Sequence, residues 1–438
     1  MGLGLLTDLY ELNMAASYLR RDMVAPATFS LFVRGLPPER GFAVVAGLED
    51  CLDYLESLRF DDTDLAYLRE LGFRPDDVER FAALRFTGEV WAVPEGRMMF
   101  SGEPVLEVTA PIAEAQLAET YLLNQVTLHA TLASKAARCR IAAGDRDVVD
   151  FAFRRTHGVG AAMALARATA MCGFSATSNV EAARRYGLRA AGTMAHSYIE
   201  AFPTERDAFV AFAEDFPGRV TFLVDTYDTA RGVDAAIGVI RDLRLEGELA
   251  VRLDSGDLDA LSREARRRLD GAGLTRVRIF ASGGLDDIEI ERLVTGGAPI
   301  DAFGVGTRLG VSADAPYLDT VYKLVEVDGR PVAKLSTGKA TWPGRKQVFR
   351  GPRPGDDVIG LRDEPAPEGA RPLLERVMAT GRRTGPPGTL EAARGRFEED
   401  LSTLPEGARR LDRPDAPVPE PSAALRDLSR RVSSQHGA

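Results

Sequence analysis

The 438-residue chain has little cysteine and no excess of positive charge, and each scarcity excludes a class of protein. Its three cysteines, Cys51, Cys139 and Cys172, are too few and too far apart for a disulfide framework or a zinc cluster. A formal net charge of -10 excludes the overall basic surface of a nucleic-acid-binding protein. We therefore expect a protein of a reducing compartment, the cytoplasm, with no nucleic-acid partner.

Long apolar runs are also missing. No run approaches the roughly 20 residues needed to span a bilayer, and Asp8 and Glu11 bring charge too early for a signal peptide. The hydrophobic fraction of 45% nevertheless supports a large core, and the length indicates two or three domains. We expect a soluble protein with no membrane partner.

Lysine is rare beside arginine. Only five of the 55 Lys and Arg residues are lysine. This bias suggests that a position that remains lysine needs a compact ammonium group rather than a planar guanidinium. Chance placement is the alternative explanation. The lysines are Lys135, Lys323, Lys334, Lys339 and Lys346.

The middle of the chain alternates short β-branched runs with amphipathic helical stretches, which is typical of a parallel sheet built from βα units. Seven such units predict an irregular (β/α) barrel, with an open doubly wound sheet as the alternative. The predicted strands are residues 147–153, 173–177, 188–195, 220–226, 248–255, 276–282 and 300–306.

The two ends of the chain differ from the barrel segment. Gly- and Pro-punctuated strands predict an α+β domain over residues 1–125, before a barrel over 126–320. Hairpin character around Asp328-Gly329 predicts that residues 321–411 rejoin the first domain, giving one mostly β domain formed from both ends. Residues 412–438, rich in Pro, Ala and charge, are expected to form a flexible tail.

Polar residues collect where the predicted barrel strands end, and barrel enzymes build their active sites at that face. A helix cap explains any one of them, above all Asp228, Ser282 and Asp286, but not their recurrence after every strand. The sequence therefore predicts an active site from these positions: Asp150, Arg154, Arg155, Ser178, His196, Ser197, Asp225, Asp228, Arg252, Asp254, Asp257, Ser282, Gly283, Gly284, Gly304, Gly306 and Thr307.

Carboxylates and guanidinium groups occur together in this set. Asp225 and Asp254 beside Arg154 and Arg252 suit a sugar that carries pyrophosphate and binds with Mg²⁺. Carboxylates would hold the hydrated ion or ribose hydroxyls, and guanidinium groups would hold phosphate oxygens. Salt bridges at a barrel rim are the alternative.

Two glycine-rich turns follow the last two predicted strands, at Ser282-Gly283-Gly284 and Gly304-Val305-Gly306-Thr307. Glycine lets backbone N–H groups approach an anion, and a helix N-terminus beyond the turn favours negative charge. The adjacent pair predicts a phosphate ligand, with tight βα turns as the alternative. His196 follows the third predicted strand and is a ligand or nucleophile, or else a histidine with a structural role.

These motifs together resemble the nicotinate phosphoribosyltransferases over roughly residues 5 to 410, in that family's order. The resemblance implies a type II phosphoribosyltransferase fold, with an irregular α/β barrel and a mostly β domain made from both ends of the chain. The matching segments are TDLYELNMA, FVRGLP, ATLASKAAR, DFAFRRTHG, GFSATSNVEAARRYG, GTMAHS, LVDTYDT, VRLDSGDL, FASGGLDD, DAFGVGTRLG and PGRKQVFR.

The resemblance also implies a reaction in NAD biosynthesis. Nicotinate, phosphoribosyl pyrophosphate (PRPP), ATP and water would give nicotinate mononucleotide, diphosphate, ADP and phosphate through a phosphohistidine. ATP is then a co-substrate, Mg²⁺ is the expected metal, and the enzyme is expected to be a homodimer with shared active sites.

Four residues are implied at the pyridine ring. Phe151 would stack on one face, and Tyr10 from the neighbouring subunit would cover the other. Arg252 would pair with the nicotinate carboxylate or the adjacent phosphates. Ser178 stands where a nicotinamide enzyme is expected to have a carboxylate, which favours nicotinate.

The remaining implied roles concern phosphate. His196 would accept phosphate from ATP, and it is expected to be catalytic together with Asp254. Asp225 and Asp254 would hold Mg²⁺, directly or through water. The residues expected to contact PRPP or its phosphates are Arg34, Arg154, Asp225, Ser282, Gly283, Gly284, Gly304, Gly306, Thr307 and Lys334.

The chain departs from the family pattern at Ala152, where glycine is expected, and at Thr156-His157. Neither departure touches the histidine or phosphate segments. The alternatives are a nicotinamide phosphoribosyltransferase, a quinolinate phosphoribosyltransferase, and a non-catalytic barrel that senses PRPP or a nucleotide. The second would need extra cations for another carboxylate and has no counterpart of His196.

Overall fold

The computed structural model describes residues 2–336 and 340–435, and it is a mixed α/β protein. The chain forms two compact units. The first unit contains the described residues up to Ser134 and from Tyr317 onward, and the second unit is Lys135–Pro316. The first boundary lies inside a long helix, beyond the predicted boundary at residue 125. None of the helices in the described ranges is long and apolar enough to cross a bilayer.

The N-terminal part of the first unit packs helices against antiparallel strands. Its third helix begins with a reciprocal capping box between Asp61 and Asp64, and its fourth begins with Pro75, so the local sequence fixes both starts. The elements are α1 (Leu9–Arg20), β1 (Pro26–Val33), β2 (Ala43–Val44), α2 (Leu48–Ser57), α3 (Asp62–Glu70), α4 (Pro75–Ala83), β3 (Glu89–Ala92), β4 (Met98–Met99), β5 (Pro104–Pro111), α5 (Ile112–Leu117) and α6 (Glu119–Ala143).

The second unit alternates strands and helices as predicted. Short strands of Val, Ile, Leu and Phe are buried because helices cover a parallel sheet. A single 3₁₀ turn spans Phe153–Arg155. The elements are β6 (Asp147–Asp150), α7 (Val159–Met171), β7 (Ala176–Thr177), α8 (Val180–Tyr186), α9 (His196–Glu200), α10 (Glu205–Asp215), β8 (Arg219–Leu223), α11 (Thr229–Asp242), β9 (Glu248–Leu253), α12 (Leu258–Gly271), β10 (Arg278–Ala281), α13 (Asp287–Thr295), β11 (Ala302–Val305) and α14 (Thr307–Gly310).

The parallel sheet has six strands in the order β7-β6-β11-β10-β9-β8. The third predicted strand, residues 188–195, is wrong as a strand, since that segment makes only an isolated bridge from Ala190 to Thr177. Its Ala- and Gly-rich sequence has low β-propensity. Within the second unit, the hydrogen-bonded sheet therefore ends at β7 and at β8, which makes it a half-barrel.

The C-terminal part of the first unit is mostly β. The predicted hairpin is confirmed, with Asp328 and Gly329 in the turn at φ of 50° and 68°. The elements are β12 (Thr320–Val327), β13 (Arg330–Pro331), β14 (Lys346–Arg350), β15 (Asp357–Leu361), β16 (Arg371–Pro372), β17 (Glu375–Ala379), β18 (Arg382–Arg383), α15 (Leu390–Thr403), α16 (Glu406–Arg409), β19 (Glu420–Pro421) and α17 (Ala423–Gln435).

The sheets of the first unit combine strands from both ends of the chain. The largest has seven strands in the order β13-β12-β1-β5-β3-β17-β18, and β1, buried along almost its whole length, pairs antiparallel with β5 and β12. The smaller sheets are β16-β14-β15-β19 and β2-β4.

The segment after residue 412 differs from the predicted flexible tail. Strand β19 pairs with β15, and α17 buries Leu425 and Val432. These two residues are seven positions apart and therefore share one face of the helix. The Pro-, Ala- and charge-rich composition around them concealed this apolar face.

We predict that Val432→Ala destabilises the first unit, whereas Val418→Ala does not. Val432 is 3% exposed and Val418 is 78% exposed, so the same change removes buried contacts only at Val432. The expected cost is about 2 kcal/mol, or a fall in Tm of about 5 °C. Calorimetry of the two variants checks this, and equal Tm values would mean that the segment is loosely attached.

Candidate active site

Arg252, near the end of β9, is the most connected polar side chain in the second unit's candidate site. Its Nε donates to Ser282 Oγ at 2.8 Å, Nη1 to Thr193 Oγ1 at 2.9 Å, and Nη2 to Asp254 Oδ1 at 2.7 Å. Its side chain is only 13% exposed. Three hydrogen bonds to three different parts of the chain thus hold the guanidinium in one orientation.

Asp254, two residues later, is held as a carboxylate. Burial raises its pKa, but the Ser282 hydroxyl at 2.5 Å, the Arg252 guanidinium and His196 together hold the pKa below its usual range. Its Oδ2 lies 3.8 Å from His196 Nε2. Asp254 therefore connects the fixed arginine to the imidazole.

His196 is the first residue of α9, and its side chain is 42% exposed. Its Nδ1 lies 3.1 Å from Thr226 Oγ1, and Asp254 faces the other ring nitrogen. The ring is therefore oriented on both sides while remaining open to solvent, as a nucleophile or a ligand-binding histidine requires.

Asp225 follows β8 and lies against the chain that leaves β9. Its Oδ2 accepts from the Asp254 N–H at 2.9 Å and from Ser255 Oγ at 2.5 Å. Its Oδ1 is buried and has no hydrogen-bond partner among the described residues. An oxygen in this state is available for a cation or a hydroxyl group.

The donor set suits Mg²⁺ bound together with a substrate. The described residues contain no cluster of three or more His, Cys, Asp or Glu side chains able to hold a metal by themselves. Mg²⁺ commonly takes only one or two carboxylates and completes its shell with water and phosphate oxygens. Asp225, with its unpartnered Oδ1, and Asp254 fit that pattern.

Glu205, at the start of α10, adds a third carboxyl to this region. Burial, Asp225 and Asp228 raise its pKa to about 7, so it is roughly half protonated at neutral pH. The partial protonation limits the negative charge beside Asp225.

Phe151 supplies an aromatic face after β6. Its ring packs against Phe280 at a centroid distance of 5.5 Å, and the Arg252 guanidinium lies 5.4 Å from its centroid. Gly304 makes this packing possible, because a Cβ there would lie 2.8 Å from Phe151 Cδ2. The buried carboxylate of Asp150 fixes the same loop by accepting from the Ala152 N–H at 2.8 Å.

The first glycine turn has a packing role of its own. Gly283 has a φ of +87°, and a Cβ there would lie 1.8 Å from the Asp254 carbonyl oxygen, so glycine is required whether or not a ligand binds. Gly284 has a φ of +67° and faces open space. Ser282 does not cap α13, because the N-cap of that helix is Asp286, and its hydroxyl instead donates to Asp254.

The expected helix N-terminus beyond this turn is not free for an anion. Asp286 caps α13 by accepting from the Glu289 N–H at 3.0 Å, and Asp287 and Glu289 add carboxylates to the first turn of that helix. Asp228 and Asp257 cap α11 and α12 in the same way. These acids are structural, and any phosphate at the first turn would depend on its backbone N–H groups.

The second turn is more open. A Cβ on Gly306 would meet nothing closer than the Phe151 carbonyl oxygen at 3.5 Å, and Thr307 is exposed. Arg308 Nη1 donates to Asp286 Oδ2 at 2.8 Å, which ties this turn to the first. The two turns are therefore linked directly through an ion pair.

The other predicted site residues make fewer contacts. Arg154 lies exposed in the 3₁₀ turn after Phe151, and the Ser178 N–H donates to the Asp150 carbonyl at 2.8 Å. Three more belong to the first unit. Tyr10 is 47% exposed on α1, Arg34 pairs with Asp319 at 3.3 Å after β1, and Lys334 is exposed in the loop after β13.

Sequence reasoning missed four polar residues of this network: Thr193, Thr226, Ser255 and Glu205. The first three lie within motifs that were recognised, one to three residues from His196, Asp225 or Asp254, and proximity to those residues was their available signal. Glu205 had no local signal, because its relation to Asp225 arises only when α10 packs beside β8.

Together these residues form a site with a fixed guanidinium, an oriented imidazole, two adjacent carboxylates, an aromatic face and two glycine turns. Such a set can bind an anionic ligand with an aromatic ring and stabilise charge that develops on a leaving group. The oriented and partly exposed imidazole of His196 lies beside this set.

Comparison with known proteins gives a consistent match. Residues 5–127 match the model of the nicotinate phosphoribosyltransferase N-terminal domain, and residues 147–350 match that of the nicotinate phosphoribosyltransferase family. A nicotinate phosphoribosyltransferase of Mycobacterium tuberculosis is 49% identical over 93% of this chain and 89% of its own. One from Bacillus subtilis is 45% identical over 80% of this chain and 73% of its own.

The fold also matches that of a protein whose crystal structure is known. The crystal structure of human nicotinic acid phosphoribosyltransferase superposes with a TM-score of 0.86 and 28% identity, covering 98% of this chain and all of the human chain. Fold and sequence thus agree over nearly the whole length.

Proposed function

This chain belongs to the nicotinate phosphoribosyltransferase family, and from that premise we propose how its residues perform the reaction. The enzyme joins nicotinate to the phosphoribosyl group of PRPP, a step of NAD biosynthesis. The observation that carries the proposed mechanism is the position of Arg252, which touches the Phe151 ring and Asp254 at once. One cation thereby joins the aromatic face to the residues expected to act on phosphate.

The half-barrel is proposed to be the larger part of an irregular barrel. The bridge from Ala190 to Thr177 extends the sheet beyond β7, so residues 188–195 would occupy the gap between β7 and β8. An experimental structure in which this segment lies away from β8 would contradict the barrel.

In the transfer step, the pyridine nitrogen attacks the anomeric carbon of PRPP while the bond to diphosphate breaks. The nitrogen carries no proton at neutral pH, so no general base is needed. The enzyme would then accelerate the reaction by orienting the pyridine nitrogen toward the anomeric carbon and by stabilising the leaving diphosphate. Phe151 would hold the ring, Arg252 would meet the carboxylate or the nearby phosphates, and the two glycine turns would hold the 5′-phosphate.

Mg²⁺ would be held by Asp225 and Asp254 with PRPP oxygens. When bound, it would neutralise charge on the diphosphate. Asp225 Oδ1 supports this assignment because it is buried and unpartnered. The Ser255 hydroxyl and the Asp254 N–H keep Asp225 oriented by occupying its other oxygen.

ATP coupling would pass through His196. Asp254 lies 3.8 Å from His196 Nε2 and favours a proton on that nitrogen. The lone pair is then on Nδ1, which accepts a hydrogen bond from the Thr226 hydroxyl. Nδ1 would attack the γ-phosphorus of ATP, forming an N–P bond as the P–O bond to ADP breaks. The phosphoryl group would add negative charge beside Asp225 and Asp254 and change how the site holds PRPP.

We also propose that Tyr10 completes the site of a second copy of the chain. Tyr10, Leu6 and Leu9 are exposed together around the start of α1, with exposures of 47%, 50% and 54%. An apolar group of this kind is suited to an isologous dimer interface. Tyr10 would then cover the pyridine face opposite Phe151.

A first prediction of this proposal is that Gly304→Ala weakens nicotinate more than PRPP. The new methyl would lie within 3 Å of both Phe151 and Phe280 and displace the Phe151 ring. We expect the KM for nicotinate to rise about tenfold, with a much smaller change for PRPP. Steady-state assays of diphosphate release measure both.

Gly360→Ala is the matched control. Gly360 lies in β15 of the first unit, and a Cβ there would lie 2.7 Å from the Phe349 ring. This variant should lose stability without a selective change in KM. Equal changes in the KM for nicotinate in the two variants would show that Phe151 does not contact the pyridine ring.

A second prediction is that His196→Ala abolishes nicotinate-stimulated ATP hydrolysis and acid-labile labelling from γ-labelled ATP. His157→Ala is the control, because His157 is exposed in the loop after the 3₁₀ turn. It should retain labelling near the wild-type level. Labelling that persists in His196→Ala and disappears in His157→Ala would transfer the role to His157.

A third prediction tests the shared site by subunit exchange. Tyr10→Ala and His196→Ala homodimers should both be inactive. If each site takes Tyr10 from one copy and His196 from the other, their heterodimers contain one site with neither change. Activity should therefore return to about one quarter of the wild-type level in a statistical mixture. Inactive mixtures in which heterodimers are demonstrated by mass spectrometry would show that Tyr10 does not serve the partner's site.

A further inference from the structure

A buried ion cluster lies in the second unit, behind the two glycine turns. Lys135 on α6 is 1% exposed in its side chain, and its Nζ contacts Asp287 Oδ1 and, at 2.8 Å, Asp314 Oδ1. Arg138, one helical turn further on, donates from Nε to Asp287 Oδ2 at 2.6 Å. These four side chains are two cations and two anions, so their formal charges cancel.

Its two carboxylates belong to different segments, each following one glycine turn. Asp287 is the first residue of α13, three positions after Gly284. Asp314 follows α14, which begins directly after Gly306. The Ser312 hydroxyl donates to the Ala315 carbonyl at 2.7 Å and keeps the second segment compact around Asp314.

We propose that Lys135 is a positioning residue, which fixes the two glycine turns relative to each other and so shapes the site for the 5′-phosphate of PRPP. The inference rests on the proposed role of those turns. Lys135 itself is fully buried and would not touch substrate. Its effect would pass through Asp287 to the first turn and through Asp314 to the second.

A lysine suits this position better than the arginine that the chain uses almost everywhere else. A single ammonium nitrogen can donate to carboxylates in two different directions, whereas a planar guanidinium presents its donors in one plane. The Arg138 Nε lies farther from Asp314, 4.0 Å from Oδ2, than the Lys135 ammonium, which is 2.8 Å from Oδ1. Loss of the ammonium would leave Asp314 without its 2.8 Å contact and loosen the second turn.

The test compares Lys135→Met with Lys346→Met in the full-length enzyme. Lys346 is also a buried lysine, 3.1 Å from the fully buried carboxylate of Glu107, but it lies in the first unit. Both variants should lower Tm. Only Lys135→Met should raise the KM for PRPP, by about tenfold, while the KM for nicotinate stays within about twofold.

Asp314→Asn is the milder variant if Lys135→Met does not fold, because the Asp314 side chain is 26% exposed. It should raise the KM for PRPP about threefold, again with little change for nicotinate. The proposal is overturned if the KM for PRPP stays within twofold of wild type, or if the KM values of both substrates rise equally.

Gly306→Ala separates this proposal from the role of the turns. Its methyl would meet only the Phe151 carbonyl, at 3.5 Å, within the protein. A raised KM for PRPP in Gly306→Ala with none in Lys135→Met or Asp314→Asn would reject the positioning role alone. An unchanged KM for PRPP in Gly306→Ala would reject the phosphate role of the turn itself.

Discussion

The candidate site depends above all on the fixed guanidinium of Arg252. Three hydrogen bonds, to Ser282, Thr193 and Asp254, orient a cation that is 13% exposed and would otherwise be costly to bury. The same charge helps to keep Asp254 ionised, and Asp254 in turn faces His196. The aromatic face, the carboxylate and the imidazole are therefore all linked to one cation, the imidazole through Asp254.

Charge balance is the second constraint, because an acidic protein of net charge -10 has to bind a polyanionic substrate. Locally, Asp225, Asp228 and Glu205 approach one another, which works against phosphate binding. Burial and these neighbours raise the pKa of Glu205 to about 7, so it carries only part of its charge at neutral pH. Above that pH the ionised Glu205 adds negative charge beside Asp225. A cation bound at Asp225 would reduce that repulsion, and the unpartnered Oδ1 of Asp225 is the oxygen that could bind it.

Sequence patterns predicted most of the parallel sheet. They also predicted that Arg252, Asp254, Asp225 and His196 would lie together, because parallel strands bring their carboxyl ends to one edge. They failed where packing decides the outcome. Residues 188–195 were predicted to form a strand but make only one bridge, and α17 was hidden by the composition around Leu425 and Val432. Asp257 was predicted in the active site, yet it caps α12, whereas the helix cap suggested for Asp286 is confirmed. Thr193 and Thr226 were missed because a hydroxyl gains a role only when a specific partner is placed beside it.

Packing also explains why the functional side chains follow the order of the strands. After β6, Phe151 packs against Gly304 of β11 and Phe280 of β10. Beyond β10, Gly283 approaches the Asp254 carbonyl after β9, and the Asp254 N–H donates to Asp225 after β8. Contacts therefore run without interruption across five neighbouring strands, β6-β11-β10-β9-β8. Glycine at 283 and 304 is required by these contacts before any ligand binds, since a side chain at either position would displace Asp254 or Phe151. The turns thus set the spacing between the aromatic face and the carboxylates, and phosphate binding would use a geometry that strand packing has already imposed.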